Sequence, residues 1–221
     1  GAVGDNGIGV AGVNWHVTIM PIKFLSSGGS GSTAGAISSI QYATQMGAHL
    51  SSNSWGGGGF SQALMDAIAD ANVHNIAFVA AAGNGTTNTD VTPNYPSCYD
   101  LPNIIAVAAT DRNDALASFS NWGLVTVDLA APGVDTLSCQ PGNQYQLMSG
   151  TSMATPHVAG VCALIKAVNP SIPVGQMKHI LLNSVDHIAS MNGKCVTGGR
   201  LNAFFAIADP DSDRRGVRMV R

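Results

Sequence analysis

The sequence predicts an α/β domain of three layers, a mostly parallel sheet with helices on both faces. Three observations predict it. Residues 76–82 are an unbroken apolar run, and 103–109 and 124–130 are mostly apolar, as expected of strands buried on both faces. Amphipathic stretches with apolar residues at helical spacing lie between such runs, the order that a parallel sheet and its crossover helices require. Only 10% of the 221 residues are charged, against about 25% in ordinary domains, which excludes a coiled coil or a charge-rich disordered chain.

Taken in order, residues 17–24 read as a strand, with Pro21 arguing against a regular central position. A Gly/Ser loop at 26–32 leads into a helix over 33–47, where Ile37, Ile40 and Met46 share a face. Residues 49–54 form a short strand ended by four consecutive glycines. Ser61 is the N-cap of a helix continued by Leu64, Ile68 and Ala71. Strands follow at 76–82, 103–109, 124–130 and 143–148. A long helix over 152–168 is stopped by Asn169-Pro170, and shorter helices occupy 174–184 and 202–208. One domain is expected over 1–208. Residues 209–221 hold four of the ten basic residues without apolar periodicity, and read as a polar, disordered tail.

Several function classes drop out. The net charge is -3, with no clustered basic face in the folded part, so nucleic acid is not an expected partner. The longest apolar runs are about seven residues, and a membrane span needs about 20. Cys98, Cys139, Cys162 and Cys195 contain no C-x-x-C pair, which argues against a zinc knuckle or thioredoxin-like motif; in an exported protein they leave disulfide pairing open. No targeting signal is readable within these residues.

Functional groups of an open parallel sheet collect beyond the carboxyl ends of its strands. Three segments end there with unusual residues: Ser54-Trp55-Gly56-Gly57, Gly83-Asn84-Gly85 and Gly150-Thr151-Ser152-Met153-Ala154. Ser152 opens a helix, where free N–H groups and the helix dipole favour negative charge. Its hydroxyl can attack a carbonyl and its own N–H can receive the oxyanion; a serine there is also an ordinary N-cap. The Asn84 amide can donate to the same oxyanion, although Asn between glycines is equally a common turn residue. The flat backbone after Ser54 suits pairing with an extended peptide, or is simply a flexible loop.

The run SGTSMATPHVAG (149–160) resembles the nucleophile signature of the subtilisin-like serine proteases; AAAGNG (80–85) resembles their oxyanion segment and SSNSWGGG (51–58) their substrate-binding strand. The resemblance extends from residue 1 to about 208. It implies Ser152 as nucleophile, Asn84 as oxyanion donor and Thr151 as support for that hole. It also implies a peptide cleft and P1 pocket lined by Ser54, Trp55, Gly56, Ala82 and Gly83, faced by a second strand at Gly29, Ser30 and Gly31. Extended polypeptide substrates, a monomer when complete and a secreted or vesicular location follow in the same way. The segment GDNGIGV (4–10) resembles a calcium loop of the family, with Gly4, Asn6, Ile8 and Val10 as some of the ligands and the family's others in an N-terminal part not among these residues. No cofactor is implied for the chemistry.

The family's D-[ST]-G and H-G-T-H-V-A-G motifs do not occur among the 221 residues. In the family, a segment like residues 1–13 directly follows the histidine motif, so the chain is expected to begin just after the general base. His157 lies five residues beyond Ser152, about 140° round the helix, and points away. His16, His49, His74, His179 and His187 lack a matching motif, as does Asp128. Without a base the hydroxyl keeps its proton, so the isolated residues are expected to lack useful protease activity and to be marginally stable. Two other readings stand beside the endopeptidase. One is a catalytically inactive homologue that binds extended peptides. The other is an α/β-hydrolase esterase, since Gly150 to Ala154 departs from G-x-S-x-G by one residue and His179 and His187 follow the serine.

Overall fold

The computed structural model describes residues 1–208. The elements are α1 (Thr33–Gln45), β1 (Leu50–Asn53), α2 (Gln62–Val73), β2 (Ala77–Ala81), β3 (Ile104–Thr110), β4 (Leu129–Pro132), β5 (Thr136–Gln140), β6 (Gln144–Met148), α3 (Thr151–Val168), α4 (Val174–Asn183), β7 (Asp186–His187), β8 (Gly199–Arg200) and α5 (Ala203–Ala208). Six strands form one sheet in the order β1-β2-β3-β4-β8-β7. β1 through β4 and the β4–β8 pair are parallel, and only β7 runs antiparallel to its neighbour.

Every residue of β2 and β3 is buried, and their side chains alternate between two cores, as the period of two requires. Val79, Ile105 and Val107 pack with Ala154, Val158 and Val161 of α3 and with Met177 and Leu181 of α4. Ile76, Phe78, Ala80 and Ile104 pack on the other face with Ile40 of α1 and Leu64 and Ile68 of α2. The three-layer architecture is therefore the predicted one. Ser61 caps α2, its Oγ accepting from Leu64 N at 3.4 Å.

Three expectations change. Residues 17–24 form no strand, and Val17, Ile19 and Met20 are exposed; an apolar run becomes a strand only where a ladder partner takes its N–H and C=O groups. The strand expected over 124–130 begins only at Leu129. Residues 123–127 instead wrap the Asp90 carboxylate, which accepts from Val125 N at 3.1 Å, Thr126 N at 2.9 Å and Thr126 Oγ at 2.7 Å. The expected 143–148 strand exists as β6, but pairs only with β5 in a separate exposed hairpin. The segment 209–221 lies outside the described residues. All four thiols are free, and burial pushes the Cys162 thiol up to about 12.

Asp90 gives an acid-stability prediction. Desolvation raises its pKa, but the Thr126 hydroxyl and the amides of Thr126, Val125 and Leu124 outweigh it and hold the carboxyl below its ordinary value. A lowered folded-state pKa adds stability above the ordinary carboxylate range, and that contribution is lost as pH falls through the folded value. Thr126→Val is expected to move the Asp90 titration upward when followed by carboxyl NMR. Its deficit in urea stability should be present at neutral pH and shrink below the wild-type Asp90 midpoint.

Candidate active site

β1 and β2 run side by side and deliver Ser54 and the Gly83-Asn84 turn to the same edge of the sheet. The start of α3 comes to this edge because Gly150 N donates to Gly133 O at 2.8 Å. A Cβ on Gly133 would stand 2.7 Å from both Gly150 O and the Ala109 Cβ, so only glycine permits that approach. The helix starts one residue earlier than expected, with Gly150 as N-cap and no side-chain cap. Ser152 is thus its second residue rather than a capping serine.

Pro156 shapes the Ser152 environment. Proline has no N–H, so the carbonyl of Ser152, four residues back, loses its intrahelical donor. Ser54 Oγ replaces it at 2.7 Å, and Ser152 Oγ donates in return to Ser54 O at 3.3 Å. This reciprocal pair ties the end of β1 to the start of α3.

Asn84 is fixed across the gap. Its Oδ1 accepts from both Thr151 N and Thr151 Oγ1 at 2.9 Å, and the fully buried Thr151 Oγ1 accepts from Gly83 N at 3.2 Å. With Oδ1 committed, the carboxamide nitrogen is turned towards Gly150. A Cβ on Gly150 would stand 3.6 Å from Asn84 Nδ2 and 3.6 Å from Ser152 N. Asn84 Nδ2, Ser152 N and the Met153 sulfur therefore converge on one position next to Gly150, each 3.6 Å from it.

The remaining expected cleft residues are placed as follows. Trp55 is half-buried, edge-on to Phe24 and Phe78 at 5.1 and 6.5 Å, with Nε1 donating to Asn53 Oδ1 at 3.2 Å. It anchors the Ser54–Gly56 segment to the α1–α2 core. Ala82 is buried and its N–H continues the ladder to Val107 O. Gly29, Ser30 and Gly31 do not form a strand: Gly29 has φ +77°, and Ser26 N donates to Ser30 O at 2.8 Å, closing a turn before α1. His157 Nδ1 lies 2.9 Å from Met153 O on its own helix, His179 contacts Asn183, and Asp128 is paired with Lys178 at 3.1 Å. None of these meets Ser152, whose hydroxyl has Ser54 O as its partner.

Two residues absent from the sequence reading belong here. Asn94 lies between the glycine walls: a Cβ on Gly56 would stand 3.0 Å from its Nδ2, and one on Gly83 would stand 3.3 Å from its Cγ. Asn121 holds the loop that carries Asn84. Asn121 is remote in sequence from the loop it holds, and Asn94 from Gly56, so only an asparagine flanked by turn residues could have been noticed.

A family profile described as the subtilase family matches residues 1–207. The chain belongs to the subtilase family. It is 41% identical over 185 residues to subtilisin DY of Bacillus licheniformis, covering 83% of this chain and 66% of that protein. It is 39% identical over 206 residues to thermitase of Thermoactinomyces vulgaris, covering 93% of this chain and 71% of that protein. A protease structure from Pseudoalteromonas arctica superposes with a TM-score of 0.83 at 31% identity, covering 95% of this chain and 68% of that one. A cold-adapted subtilisin-like proteinase structure gives 0.71 at 35% identity, covering 79% of this chain and 64% of that one. The chain thus spans about half to two-thirds of the length of most such relatives. Subtilase membership removes the α/β-hydrolase reading of the Ser152 segment. The chain's relatives include subtilisins, an alkaline elastase and alkaline proteases. Among the described residues no helix is long and apolar enough to cross a membrane.

Proposed function

We propose that this chain carries the nucleophile and oxyanion-binding half of a serine endopeptidase site that takes extended polypeptides. The observation that supports it best is the convergence of Asn84 Nδ2 and Ser152 N, each 3.6 Å from one position next to Gly150. Substrate backbone lies along Ser54 to Gly56, Ser152 Oγ attacks the acyl carbon, and the carbonyl oxygen turns into that position as it gains charge. The general base belongs to motifs absent from these 221 residues. The reaction to assay is therefore acylation by a peptide p-nitrophenyl ester, whose leaving group needs no protonation. The Ser152 Oγ–acyl bond forms, the aryl ester bond breaks, p-nitrophenolate departs with the electron pair, and the hydroxyl proton passes to solvent. Serine proteases stripped of a triad member, a subtilisin among them, retain about 10³–10⁴-fold acceleration over water from oxyanion stabilisation and binding. Mass spectrometry should locate the acyl group on Ser152, with p-nitrophenolate release lost in Ser152→Ala. Peptide anilides should turn over negligibly. An acyl group found elsewhere, or release unchanged in Ser152→Ala, overturns the reading.

The bond from the Ser152 hydroxyl to a carbonyl rather than to a base favours a second reading, an inactive homologue that retains the peptide cleft. It requires peptide binding with no acylation at all. The compartment we infer from the family is an exported one.

Asn94 sets the expected P1 preference. Its carboxamide puts a polar group between Gly56 and Gly83. Esters with Tyr or Gln at P1 should acylate about fivefold faster than the Phe ester, the worth of one net hydrogen bond of about 1 kcal/mol. Asn94→Leu should remove or reverse that ratio in the same assay.

The loop at 4–10 is assigned to calcium. Calcium takes about six to eight oxygens, and the carbonyls of Gly4, Ile8 and Val10 accept no hydrogen bond among the described residues. Asn6 Oδ1, which accepts from Ile8 N at 3.0 Å, keeps a free lone pair. Calcium is expected to raise the melting temperature, a chelator to lower it, and Asn6→Ala to blunt both effects.

A further inference from the structure

We infer that Asn121 is a positioning residue for the Asn84 carboxamide, an inference that rests on the oxyanion role proposed above. The backbone after Ala82 leaves the sheet, yet it must hold Asn84 still. Gly83 N is taken by Thr151 Oγ1 and Thr86 N by Phe119 O at 3.0 Å; the bonds that bracket Asn84 come from one side chain. Asn121 Nδ2 donates to Ala82 O at 2.8 Å, two residues before Asn84. Its Oδ1 accepts from Gly85 N at 2.9 Å and Thr87 N at 3.0 Å, one and three residues after it. Its own backbone N–H donates to Gly83 O at 2.9 Å. Asn84 thus sits inside a turn closed from both sides by a single carboxamide that is 5% exposed.

Only an asparagine of this length satisfies the turn. The site needs one donor aimed at Ala82 O and one acceptor shared by two amides, in one plane. Aspartate keeps the acceptor and sets an oxygen against a carbonyl; alanine and leucine take this partner from the buried Ala82 carbonyl and from the Gly85 and Thr87 amides. Gly83 is coupled to the same side chain. Its φ is +104°, and a Cβ there would stand 2.4 Å from Asn121 Nδ2. Asn121 touches neither the position where the oxyanion forms nor Ser152, so any effect on chemistry travels through Asn84.

The test is the acylation of Ser152 by the peptide p-nitrophenyl ester, in the full chain, with Asn121→Ala, Asn84→Ala and the double variant. Asn121→Ala is expected to slow acylation by about tenfold or more, up to the roughly 10²–10³-fold lost when a whole oxyanion donor is removed, while the ester concentration for half-saturation stays unchanged. In the Asn84→Ala background the same substitution should change the rate by less than about twofold, since coupled residues are not additive. Hydrogen exchange at the Gly85 and Thr87 amides should accelerate in Asn121→Ala. The isosteric Asn121→Asp covers the case in which the alanine variant fails to fold: it should keep much of that protection yet still slow acylation. An equal slowing with and without Asn84, a shift in half-saturation alone, or an unchanged rate each overturns the positioning role. Acylation unaffected by Asn84→Ala overturns the oxyanion reading itself, and the inference with it.

Discussion

Lys178→Met is expected to destabilise the fold by about 3–5 kcal/mol, the usual result of removing one partner from a buried ion pair. Lys178 and Asp128 have side chains 4% and 3% exposed, with Nζ 3.1 Å from Asp128 Oδ1. The other carboxylate oxygen accepts from Ala106 N of β3 at 2.7 Å, and Lys178 Nζ also donates to Ile104 O. The pair therefore joins the residue before β4 to β3 and α4 beneath the sheet. Removing the ammonium leaves a carboxylate with no counter-charge in a medium where water cannot replace it. For a domain of this size the melting temperature should fall by roughly 6–20 °C, at about 2–4 °C per kcal/mol. The double variant Asp128→Asn, Lys178→Met should recover most of the loss, because replacing both charges by neutral groups removes two desolvation penalties together. Urea unfolding of the three proteins checks this. A single-variant loss below about 1 kcal/mol, or a double variant no better than the single, would contradict a charge-pairing origin.

Parts of this molecule that are fixed by near neighbours in the chain are legible in its sequence. The β2 run is apolar at every position, and the β3 run at every position before its closing Thr110, because both faces are covered. Residues 17–24 carry the same apolar signal without a ladder partner among the described residues, so composition alone overstates them. Residues 124–127 read as strand until Asp90, over thirty positions earlier, claims their amides. The β5 strand contains polar and small residues, Thr136, Ser138 and Gln140, and has no burial to impose a pattern. The candidate site divides similarly. Ser152, Thr151 and Asn84 lie in compact local motifs. Asn121 acts on backbone 34 to 39 positions away and Asn94 lies against Gly56, far back in the chain, and nothing in their own flanks reports it. Pro156 lies between these cases: its missing N–H is visible in the sequence, while the Ser54 hydroxyl that compensates for it is 98 positions away from Ser152.

Asn84→Ala is expected to slow acylation of Ser152 by about 10²–10³-fold, the loss measured when the corresponding kind of donor is removed from a subtilisin, a relative of this chain. The magnitude follows from when the bond is made. A ground-state ester carbonyl gains little from a neutral amide, whereas the tetrahedral oxyanion carries nearly full charge into the position bordered by Asn84 Nδ2 and Ser152 N. Because the interaction strengthens only in the transition state, the substitution should lower the maximal acylation rate and leave half-saturation almost unchanged. The Ser152 N–H remains on the helix backbone, so a residual rate above that of Ser152→Ala should persist. Thr151 provides the internal check. Its hydroxyl and N–H both donate to Asn84 Oδ1, so Thr151→Val removes one of the two bonds that aim the amide and should give a smaller loss that vanishes once Asn84 is alanine. Stopped-flow release of p-nitrophenolate separates rate from saturation. If Asn84→Ala instead weakens half-saturation at constant maximal rate, the carboxamide binds the peptide ground state, and the cleft is better described as a peptide receptor than as one side of a hydrolytic centre.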